Sequence, residues 1–191
     1  MRVKFWVLVC LVSLVSLVSM TWIGSVCADQ PRARWVLIDT QTHALSVMHD
    51  HEPVWTFNAI ALGRGGVTPS KVTRDHKTPL GEFRITEVRK SDRFHIFIGL
   101  SYPNPVHAKA AHEAGQISDD EFWAVQYATF QGTLPPQNTR LGGHIGIHGV
   151  GRGDLRIHQQ FDWTQGCIAL TNEQIEQLQN LVRVGDRVVI Q

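Results

Sequence analysis

The sequence predicts a single α+β domain that is mainly β and carries two or three helices. In the first half, short runs rich in Val, Ile, Phe and Trp alternate with polar turn residues, which is typical of strands joined by hairpins. In the second half, Ser118 and Thr171 each begin a capping-box pattern followed by apolar residues at helical spacing. A last β-favouring run, Arg187 to Ile190, predicts that the chain closes with a strand.

The predicted sheet begins with a hairpin, in which Thr40 to His43 connect two short apolar runs. Further along, the polar loop Gly63 to Lys77 separates a third strand from the turn Thr78 to Gly81. The strands predicted in this half cover residues 35–39, 44–48, 54–62, 82–88 and 94–100. Gly142 to Gly149 mixes glycine with isoleucine and is also predicted to be extended.

Two helices are predicted in an insertion, residues 105–141, that precedes this extended segment. The first covers Val106 to Ala114, and Ser118 caps the second. The second has three aromatic residues at helical spacing, Trp123, Tyr127 and Phe130. We expect these three side chains to line its buried face. A third helix is predicted after Thr171.

The N-terminal segment has the features of a secretion signal. Two basic residues precede an apolar and serine-rich run, Phe5 to Val26, and the residues after it favour cleavage behind Ala28. The sequence therefore predicts a signal peptide over residues 1–28 and an exported domain over residues 29–191. At roughly 20 residues, the run is also long enough for an uncleaved anchor, which would tether the protein to a membrane.

Charge argues against a nucleic-acid partner. Two of the 18 basic residues and none of the 17 acidic residues lie in the predicted signal, so the exported domain has a net charge of −1. It contains no long basic run, and a near-neutral chain of this kind gives no reason to expect nucleic acid.

Cys167 is the one cysteine of the predicted exported domain, because Cys10 and Cys27 lie in the predicted signal. A lone cysteine in an exported protein has no partner for an internal disulfide. It is then either a small buried apolar residue or a nucleophile. Composition alone leaves both interpretations open.

His148 is the best placed of the ten histidines to act as a base for such a nucleophile, since it ends an extended segment beside Gly149. It precedes Cys167 by 19 positions, and the loop-like stretch between them allows the chain to fold back. A metal site is the other interpretation, with His144, His148 and Cys167 as ligands. On an extended segment, however, two residues four positions apart are separated by roughly 13 Å, which is too far to share one zinc ion.

The residues next to Cys167 suit acyl transfer. Gly166 allows close approach of a substrate carbonyl, and the backbone N–H groups of Gly166 and Cys167 are natural donors to an oxyanion. Thr164 adds a hydroxyl, while Ile168 and Leu170 return the chain to the core. The thiol would then lie at the end of a buried strand on a rigid support.

Three motifs together resemble the L,D-transpeptidase catalytic domain, the YkuD-like family of bacterial cell-wall enzymes. They are Ile147-His148-Gly149, Trp163-Thr164-Gln165-Gly166-Cys167-Ile168 and Lys77-Thr78-Pro79-Leu80-Gly81-Glu82-Phe83. The family pattern is a histidine and a glycine, a gap of under twenty residues, then serine or threonine, any residue, glycine and cysteine. The match covers nearly the whole predicted exported domain.

The resemblance implies a β-sandwich fold with the cysteine in a cleft, and neither a metal nor an organic cofactor. It implies that Cys167 attacks a carbonyl of a peptidoglycan stem peptide, with His148 as general base and then acid. Gly149, Thr164 and Gly166 would support this pair, with a backbone carbonyl orienting the imidazole. An amine or water then resolves the thioester. The implied location is the periplasm or cell envelope, where the partners are stem peptides and, for some members, a wall-attached protein.

Two positions depart from the family pattern. Many members have arginine two residues after the cysteine, where this chain has Ala169, and many have histidine where it has Gln165. Because the arginine would anchor a substrate carboxylate, its loss makes hydrolysis of stem or protein-peptidoglycan linkages an alternative to cross-linking. A wall-binding module with a degenerate site is the non-enzymatic alternative. A sortase-like enzyme fits less well, since that family has threonine where this chain has Gly166.

Overall fold

Residues 34–191 are described by the structure, a computed structural model. The predicted signal peptide, residues 1–28, and the membrane tether predicted at residues 5–26 lie outside this range. None of the helices in the described part of the chain has the length and apolar character that a bilayer crossing requires.

Ten strands and four helices run through the described residues. The strands are β1 (Arg34–Asp39), β2 (Ala44–His49), β3 (Glu52–Asn58), β4 (Val67–Thr68), β5 (Thr78–Pro79), β6 (Gly81–Ser91), β7 (His95–Leu100), β8 (Gly146–Gly149), β9 (Ile168–Leu170) and β10 (Arg187–Ile190). The helices are α1 (Pro105–Glu113), α2 (Asp119–Phe130), α3 (Leu155–Gln160) and α4 (Asn172–Leu181). The predicted mainly β, α+β fold class is confirmed, with the short α3 as one helix more than expected.

Eight strands form one continuous sheet, in the order β3-β2-β1-β10-β6-β7-β8-β9. The eleven-residue β6 belongs to both halves, since its first residues pair with β10 and the rest, after an irregularity at Ile85, pair with β7. Side chains from both halves, such as Val36 of β1 and Ile98 of β7, meet in one hydrophobic core. The two halves thus pack in a sandwich-like way around a shared interior.

The predicted third strand is shorter than expected. β3 ends at Asn58, because Ala59 has a φ of 58° and its left-handed backbone breaks the extended run. Ala61 then pairs with Ala169 through two backbone hydrogen bonds of 2.8 and 3.0 Å. The prediction of a strand through Leu62 was therefore wrong at its end, and the released segment packs against β9 instead.

Local capping signals were read correctly. Ser118 accepts from the Glu121 N–H and Glu121 accepts from the Ser118 N–H at the start of α2. Thr171 and Gln174 form the same reciprocal pair at the start of α4. Each box satisfies two backbone donors that the first helical turn leaves free.

The buried face of α2 was predicted wrongly. Trp123, Tyr127 and Phe130 share one face as their spacing requires, but that face is 65, 65 and 85% exposed. Val125 and Ala128 are the α2 residues that the domain buries. The opposite side of the helix therefore packs inward, because helical spacing decides which residues share a face and not which face meets the core.

Candidate active site

The parallel neighbours β8 and β9 bring His148 and Cys167 to one cleft. His148 lies opposite Ala169 in the strand register, and Ile147 lies opposite Ile168. Since side chains alternate along a strand, the two isoleucines enter the core while His148, Ala169 and Cys167 point to the other face. The connection through α3 makes this parallel arrangement possible.

The imidazole of His148 is 2% exposed and lies between two aromatic rings. Phe94 stacks on it with ring centroids 4.1 Å apart, and Trp163 approaches edge-on at 5.8 Å. Its Nδ1 donates to the Gly149 carbonyl at 2.8 Å, which leaves Nε2 as the basic nitrogen. Burial lowers the pKa of His148 to about 4, against the opposing effect of that hydrogen bond. The ring is therefore neutral at neutral pH.

Cys167 is partly exposed and stands directly before β9. Its Sγ donates to the His144 carbonyl at 3.4 Å, rather than to His148. Burial raises the pKa of the thiol to about 11, while the Gly146 N–H and the charge of Lys71 act in the opposite direction. At neutral pH the resting pair is thus a thiol and a neutral imidazole.

Thr164 and Gly166 fix the backbone around the thiol. The Thr164 hydroxyl donates to the Cys167 carbonyl at 2.7 Å and accepts from the Gly166 N–H at 3.0 Å. Gly166 has a φ of 126°, and a β-carbon there would lie 2.6 Å from the Lys77 carbonyl oxygen, so only glycine fits. The Gly166 N–H is therefore occupied, contrary to the expectation that it serves an oxyanion. The Cys167 N–H has no hydrogen-bond partner among the described residues.

The Lys77 to Phe83 motif supports this backbone from the side. Thr78 is fully buried, and its hydroxyl accepts from the Gly63 N–H at 2.9 Å. Gly63 in turn bridges to Thr164. The turn that the sequence indicates as a strand connector thus holds the cysteine loop in place.

The cleft has a volume of about 670 Å³ and is strongly cationic. The cationic side chains that line it are Arg64, Lys71, Arg74, Arg89 and Arg93. No aspartate or glutamate is among its lining residues in the described chain. A cleft of this charge favours anionic ligands.

Ala169 is fully buried beside His148, at the position where the family pattern has arginine. Its backbone is closed off by the pairing with Ala61. No cation reaches the cleft from this position of β9. The positive charge comes instead from the segments before and after β4, and from the end of β6 and the turn that follows it.

Of the cleft residues that were not given a role from sequence, Lys71, Phe94 and Trp163 lie nearest the two candidate side chains. Phe94 and Trp163 enclose the imidazole, and Trp163 Nε1 is fixed by a 3.3 Å hydrogen bond to His158 Nδ1. Trp163 lies inside the cysteine motif, which was a usable signal. Lys71 lies in a segment that the sequence predicts only as a polar loop.

A family model of the L,D-transpeptidase catalytic domain matches residues 33–190. This range includes every residue of the cleft described above. A comparison with curated proteins found no match.

Solved structures share the fold. The helical cell shape determining protein Pgp2 from Campylobacter jejuni aligns with a TM-score of 0.56 and 19% identity, over 83% of this chain and 47% of that one. Bd1075 from Bdellovibrio bacteriovorus aligns with a TM-score of 0.50 and 16% identity, also over 83% and 47%. This chain spans about half the length of those two chains. Since the family model matches nearly all of the described residues, the chain belongs to the L,D-transpeptidase catalytic-domain family.

Proposed function

We propose that this protein is a peptidoglycan-modifying cysteine acyltransferase, an L,D-transpeptidase, with Cys167 as nucleophile and His148 as general base and acid. The observation that carries the proposal is that the parallel neighbours β8 and β9 bring His148, on β8, and Cys167, directly before β9, to one cleft. Nε2 is the nitrogen of His148 left free to accept a proton, because Nδ1 is engaged with the Gly149 carbonyl. The family acts on peptidoglycan stem peptides, which supplies the substrate class.

In the acylation step, His148 Nε2 takes the thiol proton while Sγ of Cys167 bonds to a stem-peptide carbonyl carbon. The bond from that carbon to the nitrogen of the terminal residue breaks, and His148 gives its proton to the leaving amine. In the second step, an acceptor amine attacks the thioester and loses a proton to His148. The carbon–sulfur bond breaks, and the proton returns to the sulfur of Cys167.

The charge of the cleft supports this substrate class. Stem peptides carry free carboxylates, which can pair with arginines of the cleft wall. Lys71 and Arg89 are already paired with Asp75 and Glu87, so Arg64, Arg74 and Arg93 are the lining cations of the described chain that remain for this pairing.

Hydrolysis is the second candidate, and Ala169 is the observation that favours it. An enzyme without the arginine of that position holds the donor or acceptor carboxylate differently, and water then competes for the same thioester. The products would be shortened stems or a protein released from peptidoglycan. Cys167 and His148 have the same roles in both reactions.

The proposed site of action is the periplasm or cell envelope, because the sequence predicts a signal peptide over residues 1–28. A tether through residues 5–26 is the alternative if the signal stays uncleaved. Since Pgp2 determines helical cell shape, a role in cell shape belongs to the same proposal.

The proposal is tested by incubating the purified full-length protein with tetrapeptide muropeptides and identifying the products by mass spectrometry. Cross-linked dimers are expected from the wild type, whereas Cys167→Ala yields none. Shortened stems in place of dimers assign the hydrolase instead. If muropeptides bind to the protein but neither product forms and no acyl-enzyme accumulates, the site is a wall-binding module and the enzymatic proposal is wrong.

A further inference from the structure

Lys71 is a buried lysine in the wall of the catalytic cleft. Its side chain is 4% exposed, and Nζ donates to Asp75 Oδ1 at 2.6 Å. The Tyr102 hydroxyl shares its one proton between the Leu141 carbonyl at 2.9 Å and the Lys71 backbone carbonyl at 3.3 Å. Lysine side chains are rarely buried, since removing an ammonium group from water is costly. A lysine held at such a position calls for a reason beyond its single ion pair.

The ammonium group lies next to the cysteine loop. A β-carbon placed on Gly166 would be 3.2 Å from Lys71 Nζ, so the charge borders the residue directly before Cys167. An ammonium group has three N–H donors, and Asp75 takes one of them. Asp75 is the one hydrogen-bond partner of this ammonium among residues 34–191, so the other donors can serve a ligand in the cleft that Lys71 lines.

The backbone N–H groups of Gly166 and Cys167 do not by themselves provide two free donors for an oxyanion. The Gly166 N–H is engaged by the Thr164 hydroxyl, so the Cys167 N–H is the backbone donor left at that peptide. One neutral N–H is a weak oxyanion site, because such sites ordinarily combine two donors. Lys71 is the adjacent group that can complete it.

The other charged and titratable groups around the thiol do not replace Lys71. From the β8 side, His144 offers its backbone carbonyl and His148 a neutral, buried ring. Arg93, from the turn after β6, lies over the Phe94 ring with its guanidinium carbon 4.9 Å from the ring centroid. On the loop side, Arg64, Arg74 and His76 also line the cleft, but Lys71 is the cation whose charge acts on the Cys167 pKa. Asp75, the carboxylate of this loop, is bound to Lys71 itself.

We propose that the buried ammonium of Lys71 stabilises the negative charge that forms on Cys167 and then on the attacked carbonyl. This inference rests on the proposed function of Cys167 as nucleophile. A permanent cation provides the stabilisation that an imidazolium provides in other cysteine enzymes, since His148 is uncharged before it takes the thiol proton. The effect of the Lys71 charge on the Cys167 pKa has the same sign.

The test measures alkylation of Cys167 by iodoacetamide as a function of pH, in the full-length protein. Peptide-resolved mass spectrometry separates Cys167 from Cys10 and Cys27. Lys71→Met is expected to move the rate profile to higher pH and to slow alkylation about tenfold at a fixed neutral pH. Lys109→Met is the matched control, since Lys109 is an exposed lysine of α1 outside the cleft and its profile should match the wild type.

Asp75→Asn separates an electrostatic role from a structural one. Removing the carboxylate charge leaves the ammonium less neutralised, so the profile should move to lower pH, opposite to Lys71→Met. If Lys71→Met leaves the profile unchanged, or if both variants shift in the same direction, the proposal is wrong and the pair is structural. Should Lys71→Met fail to fold, the direction of the Asp75→Asn shift decides alone. Alkylation needs no peptidoglycan, so a negative muropeptide experiment does not affect this result.

Discussion

The surroundings of His148 keep its imidazole neutral, which is the form that the proposed general base requires. Phe94 stacks on one face of the ring, Trp163 approaches it edge-on, and the Gly149 carbonyl accepts a hydrogen bond from Nδ1–H. Burial is the largest cause of its lowered pKa, and the charges of Arg93 and His158 act in the same direction. A base with a pKa of about 4 is available over the whole neutral range.

This environment predicts that the acylation rate falls only at unusually low pH. The wild-type rate with a carbapenem-type acylating agent should stay nearly constant from pH 8 down to about pH 5, because His148 protonates only near pH 4. Phe94→Ala should move the acid limb towards the ordinary histidine value near 6.5, since water then reaches the ring. Intact-protein mass spectrometry gives both rates.

Phe122→Ala is the control for that measurement. Phe122 also stacks on a histidine, His112, with ring centroids 4.7 Å apart, but neither residue lines the cleft. Its pH profile should match the wild type. A wild-type acid limb near 6.5 would contradict the assignment of a neutral, buried base.

For helices and strands, the caps and the closing strand could be predicted from the sequence, but the buried face of α2 could not. The capping boxes at Ser118 and Thr171 were predicted correctly, because a cap depends on residues three positions apart. The closing strand, Arg187–Ile190, was also predicted with its exact bounds. The exposed face of α2 was missed, since both of its faces carry apolar side chains and only tertiary contacts choose between them.

The candidate site divides in the same way. Cys167 and His148 were selected as candidates because each lies in a short motif whose residue types have a chemical meaning. The parallel pairing of β8 and β9 that brings them to one cleft depends on the α3 connection, which no periodicity in the sequence indicated. Lys71 was missed because a lysine in a polar loop is ordinarily solvated, and its burial follows from the packing of that loop against the cysteine loop.

The two faces of α2 should respond differently to truncation. Val125→Ala should lower the free energy of unfolding by roughly 2 kcal/mol, because it removes fully buried methyl groups from the core. Trp123→Ser should change it by less than about 0.5 kcal/mol, since that side chain is largely exposed. Urea denaturation followed by circular dichroism measures both. A larger loss for Trp123→Ser than for Val125→Ala would mean that the aromatic face is packed in solution.

For the whole molecule, the buried histidines link the active site to stability. His148 is 2% exposed and His158 is 3% exposed, and burial lowers the pKa of each. The two are connected through Trp163, which contacts the ring of one and donates to Nδ1 of the other. His158 Nε2 is buried without a hydrogen-bond partner in the described chain, which costs free energy of folding. The same ring holds Trp163 in place through its Nδ1.

Acid should therefore destabilise the domain before its carboxylates titrate. A histidine in the unfolded chain has a pKa near 6.5. Below that pH the unfolded state binds protons that the folded state does not bind, so the free energy of unfolding falls as pH falls. The loss continues until His148 takes up its proton near pH 4, at up to about 1.4 kcal/mol per pH unit for each histidine. Urea unfolding between pH 8 and 4.5 measures the slope. His158→Leu should reduce this slope by the contribution of one histidine, and His51→Leu, at an exposed position, should leave it unchanged.

A free energy of unfolding that is constant or rises from pH 6.5 to 4.5 would show that the folded state binds these protons. The assignment of His148 as a neutral base would then be wrong.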